Sequence, residues 1–334
     1  MNRSYKMLRI QWIDLLRGFC MIAILWFHTE MYYVGYDITP YAMYVGNVLA
    51  VFFFLSGYLL YHKDLIIKKR IYSIFRKLII PYFFFTSIMA FPKALVYHNT
   101  DLFAIITDII YGYASWFIAA LIVSELMFII ILHYLKKHII EIISITSIIM
   151  LILSYLIGNN YNPSCIHYED NFWHINESLL GFFFLSFGYI FRHFENQFSH
   201  FQLKLLPILT ILFIISKLII YKTEGQFIFG PIVVSNYPLF VIDLIIGILL
   251  LVIIFKLLPP NYLIQWTGSH SIVYYFICGG VPLITSKLFN MFSFTFKGYF
   301  SIVIVFLVIY FISTIITWII YKYLPVIIYS HSKQ

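Results

Sequence analysis

Three ionisable side chains, Asp14, Arg17 and His28, lie in one apolar stretch near the start of the chain. This stretch has the length and composition of a membrane-spanning helix. Arg17 and His28 are eleven residues apart. At about 3.6 residues per turn this places both side chains on one helix face, about 16 Å apart along the axis. A guanidinium binds phosphate well, and an imidazole can serve as a general base or a nucleophile. The spacing therefore predicts a site with an anion-binding end and a histidine end.

These residues also have a structural interpretation. Arg17 could extend to the lipid headgroups, and Asp14, three residues before it, could neutralise its charge. His28 could be a hydrogen-bonded histidine near the other membrane surface. Because ionisable groups are costly in hydrocarbon, three of them on one span favour a functional site over this alternative.

The composition excludes a soluble domain. Of 334 residues, 62% are hydrophobic and only 11% are charged, and apolar runs of 18 or more residues recur along the chain. The net charge of +8 comes mainly from short segments between these runs. This distribution indicates membrane topology and does not predict nucleic-acid binding. The three cysteines, Cys20, Cys165 and Cys278, predict neither a disulfide framework nor a metal site, and Cys20 is interpreted as a packing residue.

The predicted fold is an all-α membrane protein, one integral-membrane domain over residues 1–334 with about ten transmembrane helices and both termini in the cytoplasm. Lys and Arg are concentrated on the side assigned to the cytoplasm, as the positive-inside rule requires. The predicted spans are residues 11–32, 41–61, 78–97, 115–134, 139–156, 177–194, 205–221, 233–255, 268–288 and 298–321. Ser56 and Gly57 in the second span are small, which predicts that a neighbouring helix approaches closely there.

Two segments between spans carry further candidates. The most basic segment follows the second span and is predicted to be a cytoplasmic loop with Lys63, Lys68, Lys69, Arg70, Arg76 and Lys77. It is interpreted either as a topology and lipid-attracting signal or as a phosphate clamp. The external loop 158–176 is polar and aromatic, and its Trp173 and His174 suit carbohydrate hydroxyls. Aromatic belts at membrane interfaces have a similar composition, so this alternative stays open. Trp116 opens the fourth span and could be only an interfacial anchor. Glu125 lies near the centre of that span, so it is expected to pair, to be protonated or to face a cavity.

The chain resembles the acyltransferase 3 family of bacterial integral-membrane O-acyltransferases, which modify polysaccharides and related cell-surface glycans. The resemblance covers essentially the whole chain. It rests on Arg17 and His28 as an Arg-x10-His motif, Phe52-Phe-Phe-Leu-Ser-Gly-Tyr58, Lys69-Arg70, Arg76-Lys77 with Ile80-Pro81-Tyr82, Trp116-Phe117, and Gly268-Ser-His-Ser271.

The resemblance implies a multi-pass protein of the bacterial cytoplasmic (plasma) membrane that transfers an acyl group, most simply acetyl, from cytoplasmic acyl-coenzyme A to a glycan hydroxyl. Acetyl-coenzyme A is then a co-substrate, and no permanently bound cofactor or metal is expected. The other expected partners are a glycan or lipid-linked glycan acceptor and the bilayer. The implied donor-binding residues are Asp14, Arg17, Arg70, Arg76 and Lys77; the implied catalytic residues are His28 with Glu125 and Glu177 to orient it; the implied acceptor-binding residues are Trp116, Trp173 and His174.

Several alternatives stay open on the sequence. His28 could be a general base or carry the acyl group covalently, and the acyl group could be succinyl or another short acid. A transporter or flippase of a lipid-linked glycan or small solute would also use many spans and buried charges. A non-catalytic membrane scaffold would tolerate replacement of Arg17 and His28. The glycan, the modified hydroxyl and the oligomeric state are not specified by any residue.

Overall fold

The computed structural model describes residues 10–61, 67–97, 101–134, 138–159, 171–199 and 201–328. Lys63 and most of the predicted external loop, residues 160–170 with Cys165, lie outside the described residues. The described chain is almost entirely helical, with one short two-stranded hairpin. The predicted all-α fold is therefore confirmed.

The helices follow one another with short connections. They are α1 (Gln11–Thr29), α2 (Tyr41–Leu60), α3 (Ile67–Ile74), α4 (Ile80–Tyr97), α5 (Leu102–Ile110), α6 (Trp116–Tyr134), α7 (Ile139–Asn159), α8 (Ile175–Ser199), α9 (Gln202–Thr223), α10 (Tyr237–Leu257), α11 (Tyr262–Ser269), α12 (Ser271–Ile277), α13 (Gly280–Met291), α14 (Tyr299–Tyr323) and α15 (Pro325–Ile328). Between α9 and α10, β1 (Phe227–Ile228) pairs antiparallel with β2 (Val233–Val234).

Eight helices of the described chain are long and apolar enough to cross a membrane. The helices α12 and α13, which are bent by 48° at Cys278 and Gly279, make a ninth candidate if the pair is counted as one span. The sixth predicted span corresponds to α8, which has 25 residues. This helix is not among those eight or nine, because polar residues such as Glu177, Arg192 and Glu195 lower its mean hydropathy. The structure thus supports eight or nine of the ten predicted spans.

Three local differences from the sequence prediction matter for the site. The predicted basic loop is helical from Ile67 onward and runs through a π-helical turn, Phe75–Ile79, into α4. The connection between the third and fourth predicted spans contains the helix α5. The ninth predicted span is broken in its middle.

The core lies around α1, α2 and α10, whereas α7 and α9 are mostly exposed. Two close helix crossings organise this core. At the first, α2 packs on α8, and a Cβ atom on Gly57 would lie 1.7 Å from the carbonyl oxygen of Leu185. At the second, α1 packs on α11 through Gly18 and Gly268. The prediction that Gly57 allows a neighbouring helix to approach closely is therefore confirmed.

Candidate active site

His28 lies in the last turn of α1, just before the helix widens into a π-helical turn, Glu30–Val34. Such turns are frequent at functional sites because they redirect side chains out of the regular helical register. Here the turn carries Tyr32, whose ring stacks on the imidazole of His28 with centroids 6.0 Å apart and planes 13° apart. The ring of Phe27 meets the imidazole edge-on at 5.6 Å. The imidazole of His28 is therefore held between aromatic neighbours.

His28 opens into a cavity of about 620 Å³. The walls come from α1, α4, α5, the start of α6, and the break between α12 and α13. The lining residues that matter for chemistry are His28, Tyr32, Thr86, Asp108, Tyr113, Ser115, Trp116, Tyr275 and Cys278. The cavity combines hydroxyl groups with aromatic faces, which suits a ligand that has both polar edges and apolar C–H faces.

Trp116 is the predicted acceptor-binding residue that lines the same cavity as His28. The loop of the β-hairpin packs behind its indole. A Cβ atom on Gly230 would lie 2.4 Å from the Trp116 ring, so the side-chain-free Gly230 allows this contact. Phe229 packs beside it with its ring centroid at 6.1 Å. The hairpin, which the sequence analysis missed, thus supports one wall of the cavity.

Trp173 and His174, the other predicted acceptor residues, lie behind the wall. His174 is only 1% exposed, and its ring lies 6.4 Å from that of Trp116 and 6.2 Å from that of Tyr113. The indole nitrogen of Trp173 donates to the carbonyl oxygen of Ile110 at 3.1 Å. These contacts support the residues that line the cavity.

Glu177 lies at the start of α8 and joins three segments. Its carboxylate accepts hydrogen bonds from Asn171 Nδ2 at 2.5 Å and from the backbone N–H of Ile232 at 3.2 Å. It also lies 3.4 Å from Nδ1 of His174. These contacts place Glu177 beside His174 and the hairpin loop, behind the Trp116 wall.

A cluster of cations lies at the other end of α1. Glu125 of α6 interacts electrostatically with Arg70, Arg17 and Lys77, and the hydroxyl of Ser56 donates a hydrogen bond to it. The positive charges of Arg70 and Arg17 also interact electrostatically with that of Lys77. Nε of Arg70 is buried without a hydrogen-bond partner among the described residues. The structure therefore brings together three of the predicted donor-binding cations, with one carboxylate and an excess of positive charge. We call Arg17, Arg70, Lys77 and Glu125 the cation cluster.

The remaining predicted donor-binding residues have different surroundings. Arg76 lies in the π-helical turn with Lys77 and donates to the carbonyl oxygen of Val326 at 3.3 Å, which ties this turn to α15. Asp14 is 8% exposed, and its carbonyl oxygen lies at the contact with Gly268. Glu125 was predicted to orient His28, but its contacts lie at the Arg17 end of α1.

Two ion-pair networks, one buried and one half-buried, were not predicted from the sequence. Nζ of Lys217 donates to Asp243 Oδ2 at 2.7 Å, Asn47 Oδ1 at 2.7 Å and the Ala42 carbonyl oxygen at 2.9 Å, and Ser216 donates to the other oxygen of Asp243. The signal that could have paired them is a basic residue within the apolar helix α9, Lys217, and an acidic residue within the next apolar helix, Asp243.

The second network joins four helices. Glu195 of α8 accepts hydrogen bonds from Tyr58 of α2, from Arg192 and from Lys256 of α10. Nζ of Lys256 lies 5.2 Å from the ring centroid of Trp12 in α1. Both networks hold the helices that carry the site, and neither supplies a residue that lines the His28 cavity.

The comparison with known families agrees with the residues gathered at the two ends of α1. Residues 10–322 match the model of the acyltransferase 3 family, which is described as an acyltransferase domain. The chain belongs to the acyltransferase 3 family. No curated protein and no solved structure matches it significantly. The family match and the apolar helices together make the chain a multi-pass membrane acyltransferase.

In this acyltransferase the Arg-x10-His motif connects the two parts of the site. Arg17 belongs to the cation cluster, and His28 lies in the cavity. The helix rise between the two residues is about 16 Å. A substrate with phosphates at one end and a reactive carbonyl at the other could therefore contact both parts of the site.

Proposed function

We propose that this acyltransferase is an O-acetyltransferase of the bacterial plasma membrane that transfers an acetyl group from acetyl-coenzyme A to a hydroxyl of a cell-surface or exopolysaccharide glycan. The observation that carries the proposal is the placement of His28 in a 620 Å³ cavity on the helix whose other end joins the cation cluster. The chemistry of an anionic thioester donor and a polyhydroxylated acceptor fits these two environments.

The cation cluster binds the phosphates of coenzyme A from the cytoplasmic side. Arg70 supports this role because its buried Nε lacks a partner among the described residues. A phosphate oxygen would satisfy that donor, and guanidinium–phosphate contacts are among the strong charge-assisted hydrogen bonds. Arg76 and Asp14 act next to this cluster. Arg76 fixes the turn that holds Lys77, and Asp14 fixes the first turns of α1. The donor is a co-substrate that leaves as free coenzyme A.

The pantetheine arm then extends along α1 so that the thioester reaches His28. The acceptor hydroxyl enters the cavity from the opposite side and lies against Trp116. His28 removes the hydroxyl proton while the oxygen attacks the thioester carbonyl, the C–S bond breaks, and the proton leaves with the coenzyme A thiol. General-base catalysis of this kind contributes about 10²–10⁴-fold to the rate. Transfer through an acyl-histidine would involve the same residue and the same products.

The positions of the two glutamates suggest roles other than contact with the imidazole. Glu125 provides the counter-charge that holds Arg17, Arg70 and Lys77 together. Glu177 acts through His174 and the hairpin loop, which support the Trp116 wall. Tyr32, which stacks on His28, is the neighbour that orients the imidazole.

The test uses the full-length protein in lipid nanodiscs with acetyl-coenzyme A and the de-O-acetylated surface polysaccharide of the producing cell. Release of coenzyme A and new O-acetyl signals in the proton NMR spectrum of the glycan are measured together. The wild type is expected to acetylate the glycan, and His28→Ala is expected to lose at least 100-fold in rate. His193→Ala, at an exposed histidine of α8, serves as the matched control and should retain activity.

Two results would contradict the proposal. Acetylation by His28→Ala at the wild-type rate would remove His28 from the reaction. Movement of a labelled glycan across the membrane without release of coenzyme A would favour transport over acyl transfer.

A further inference from the structure

We propose that Asp108 is an acceptor-binding residue, which hydrogen-bonds hydroxyl groups of the glycan where it enters the His28 cavity. This inference rests on the proposed function and extends it to the recognition of the acceptor. Among the described residues that line the cavity, Asp108 is the one carboxylate. Asp108 is also exposed, so it lies at the opening through which an acceptor would pass.

The helix that carries Asp108 is built to cover the cavity. α5 has nine residues, and Ile105, Asp108 and Ile109 line the cavity at i, i+3 and i+4 spacing on one face. The opposite face is apolar and exposed, with Phe103 80% and Ile106 54% exposed. The other polar side chain of α5, Thr107, donates its hydroxyl to the carbonyl oxygen of Phe103 within the helix. Asp108 is thus the one charged residue of α5 and lies on its cavity face, which indicates that this face contacts a polar ligand or water.

The two carboxylates of this segment differ in how well they fit the helix. Asp101 is the N-cap of α5 and accepts hydrogen bonds from the backbone N–H groups of Phe103 at 3.0 Å and Ala104 at 3.2 Å. This is the position where a helix favours a negative charge. Asp108 lies in the last turn of α5, where the helix dipole disfavours a negative charge. Helix stability thus explains Asp101 and does not explain Asp108.

The C-terminal end of α5 is fixed by side chains from two other segments. The hydroxyl of Tyr82 in α4 donates to the carbonyl oxygen of Ile109 at 2.9 Å. The indole nitrogen of Trp173 donates to the carbonyl oxygen of Ile110, and the backbone N–H of Trp173 donates to that of Tyr111 at 2.9 Å. These bonds satisfy carbonyl groups at the helix end and hold the turn that carries Asp108 in one place. A carboxylate carried by a fixed turn at the opening of a cavity is suited to selective binding of hydroxyl groups.

The lining around Asp108 has the two properties that a sugar requires. Tyr113 and Trp116 present aromatic faces to the cavity, and Thr86 and Ser115 add hydroxyl groups. A pyranose can place its C–H face on an aromatic ring while its hydroxyls hydrogen-bond a carboxylate. This arrangement assigns Asp108 to the acceptor, whereas the phosphates of the donor would be repelled by its charge.

The experiment compares Asp108→Asn with Asp101→Asn in full-length protein in nanodiscs. The second variant is a matched control, because it removes a carboxylate from the same helix and asparagine is an equally good N-cap. The probe is a set of oligosaccharides cut from the de-O-acetylated surface polysaccharide of the producing cell. Its dissociation constant is measured by microscale thermophoresis without donor, and its KM is measured with saturating acetyl-coenzyme A.

Asp108→Asn is expected to raise both the dissociation constant and the KM for the oligosaccharides at least fivefold, with the KM for acetyl-coenzyme A unchanged. Asp101→Asn is expected to match the wild type in all three. Equal oligosaccharide affinity in the wild type and Asp108→Asn, or absence of oligosaccharide binding to the wild type, would overturn the proposal. Weaker binding by Asp108→Asn would support it even if the wild type transferred no acetyl group, and that result would count against the proposed function alone.

Discussion

Gly18 of α1 and Gly268 of α11 are in backbone contact: a Cβ atom on Gly268 would lie 1.8 Å from the carbonyl oxygen of Asp14 and 2.6 Å from the backbone nitrogen of Gly18. A Cβ atom on Gly18 would lie 1.9 Å from the carbonyl oxygen of Ile264. Both obstacles are backbone atoms, which cannot rotate away as a side chain can. The crossing fixes α1 at Gly18, the residue next to Arg17, so the position of the cation cluster depends on this crossing.

Gly268→Ala should therefore separate α1 from α11 and destabilise the protein by about 1–3 kcal/mol or more, as overpacked cores are destabilised. The midpoint of thermal unfolding in detergent, at one scan rate, measures the effect. Gly46→Ala, in the helix α2, is the control. Its Cβ atom would lie 3.4 Å from the side chain of Leu244 in α10, which is an ordinary contact distance. Equal midpoints for the two alanine variants would show that the α1–α11 contact is looser than the structure indicates.

The ion pair between Lys217 and Asp243 is expected to stabilise the packing of α9 and α10. Lys217→Met leaves Asp243 buried without its cation, which costs about 3–5 kcal/mol. Combining Lys217→Met with Asp243→Leu removes both charges, and the double variant should recover most of the lost stability because an apolar pair avoids the desolvation cost.

Thermal unfolding of the single and double variants tests this prediction. Lys222→Met, at an exposed lysine in the last turn of the same helix, should leave the midpoint unchanged. A double variant that is less stable than either single variant would mean that the two charges contribute separately and that their pairing is not the stabilising contact.

Arg70 is expected to contribute to donor affinity through phosphate binding. Arg70→Met should raise the KM for acetyl-coenzyme A about tenfold, since a charge-assisted hydrogen bond is lost, and Arg70→Lys should be intermediate because lysine keeps the charge but lacks the guanidinium geometry. Neither variant should change the KM for S-acetyl-N-acetylcysteamine, a thioester without phosphates.

Steady-state kinetics with the two donors separates phosphate binding from other roles of Arg70. Lys204→Met, at an exposed lysine of α9, provides the control and should behave as the wild type. A similar loss with both donors would move Arg70 from phosphate binding to the general stability of the site.

The two ends of α1 were predictable from the sequence, whereas the walls of the His28 cavity were not. Arg17 and His28 share one regular helix, so 3.6 residues per turn fixed their relationship. Gly57 was identified because small residues in apolar helices mark close crossings, and Gly57 lies against Leu185.

The wall residues come from elements that hydropathy alone does not resolve. The helix α5 was interpreted as a loop, although Asp101 followed by apolar residues is an N-cap signal. The hairpin behind Trp116 has strands of only two residues, which is too short for a recognisable alternation. Glu125 was recognised as a buried acid, but its partners Arg70 and Lys77 come from a segment predicted to be a loop. Pairing across helices depends on tertiary contacts that spacing along one helix does not encode.

Glu125 lies in the cation cluster but was predicted to orient His28, and its substitution by glutamine distinguishes these two roles. In Glu125→Gln the three cations of the cluster face one another without a counter-charge, so the protein without donor should be less stable than the wild type. Coenzyme A brings phosphates that replace the missing negative charge, and a ligand that binds the folded state more favourably stabilises it more. The upward shift in thermal midpoint on adding saturating coenzyme A should therefore be larger in Glu125→Gln than in the wild type.

Glu141→Gln, at an exposed acid of α7 that pairs with His138, is the control and should show the wild-type shift. If Glu125→Gln instead loses activity toward S-acetyl-N-acetylcysteamine while its coenzyme A shift equals that of the wild type, Glu125 acts at His28 and the cation cluster does not depend on it.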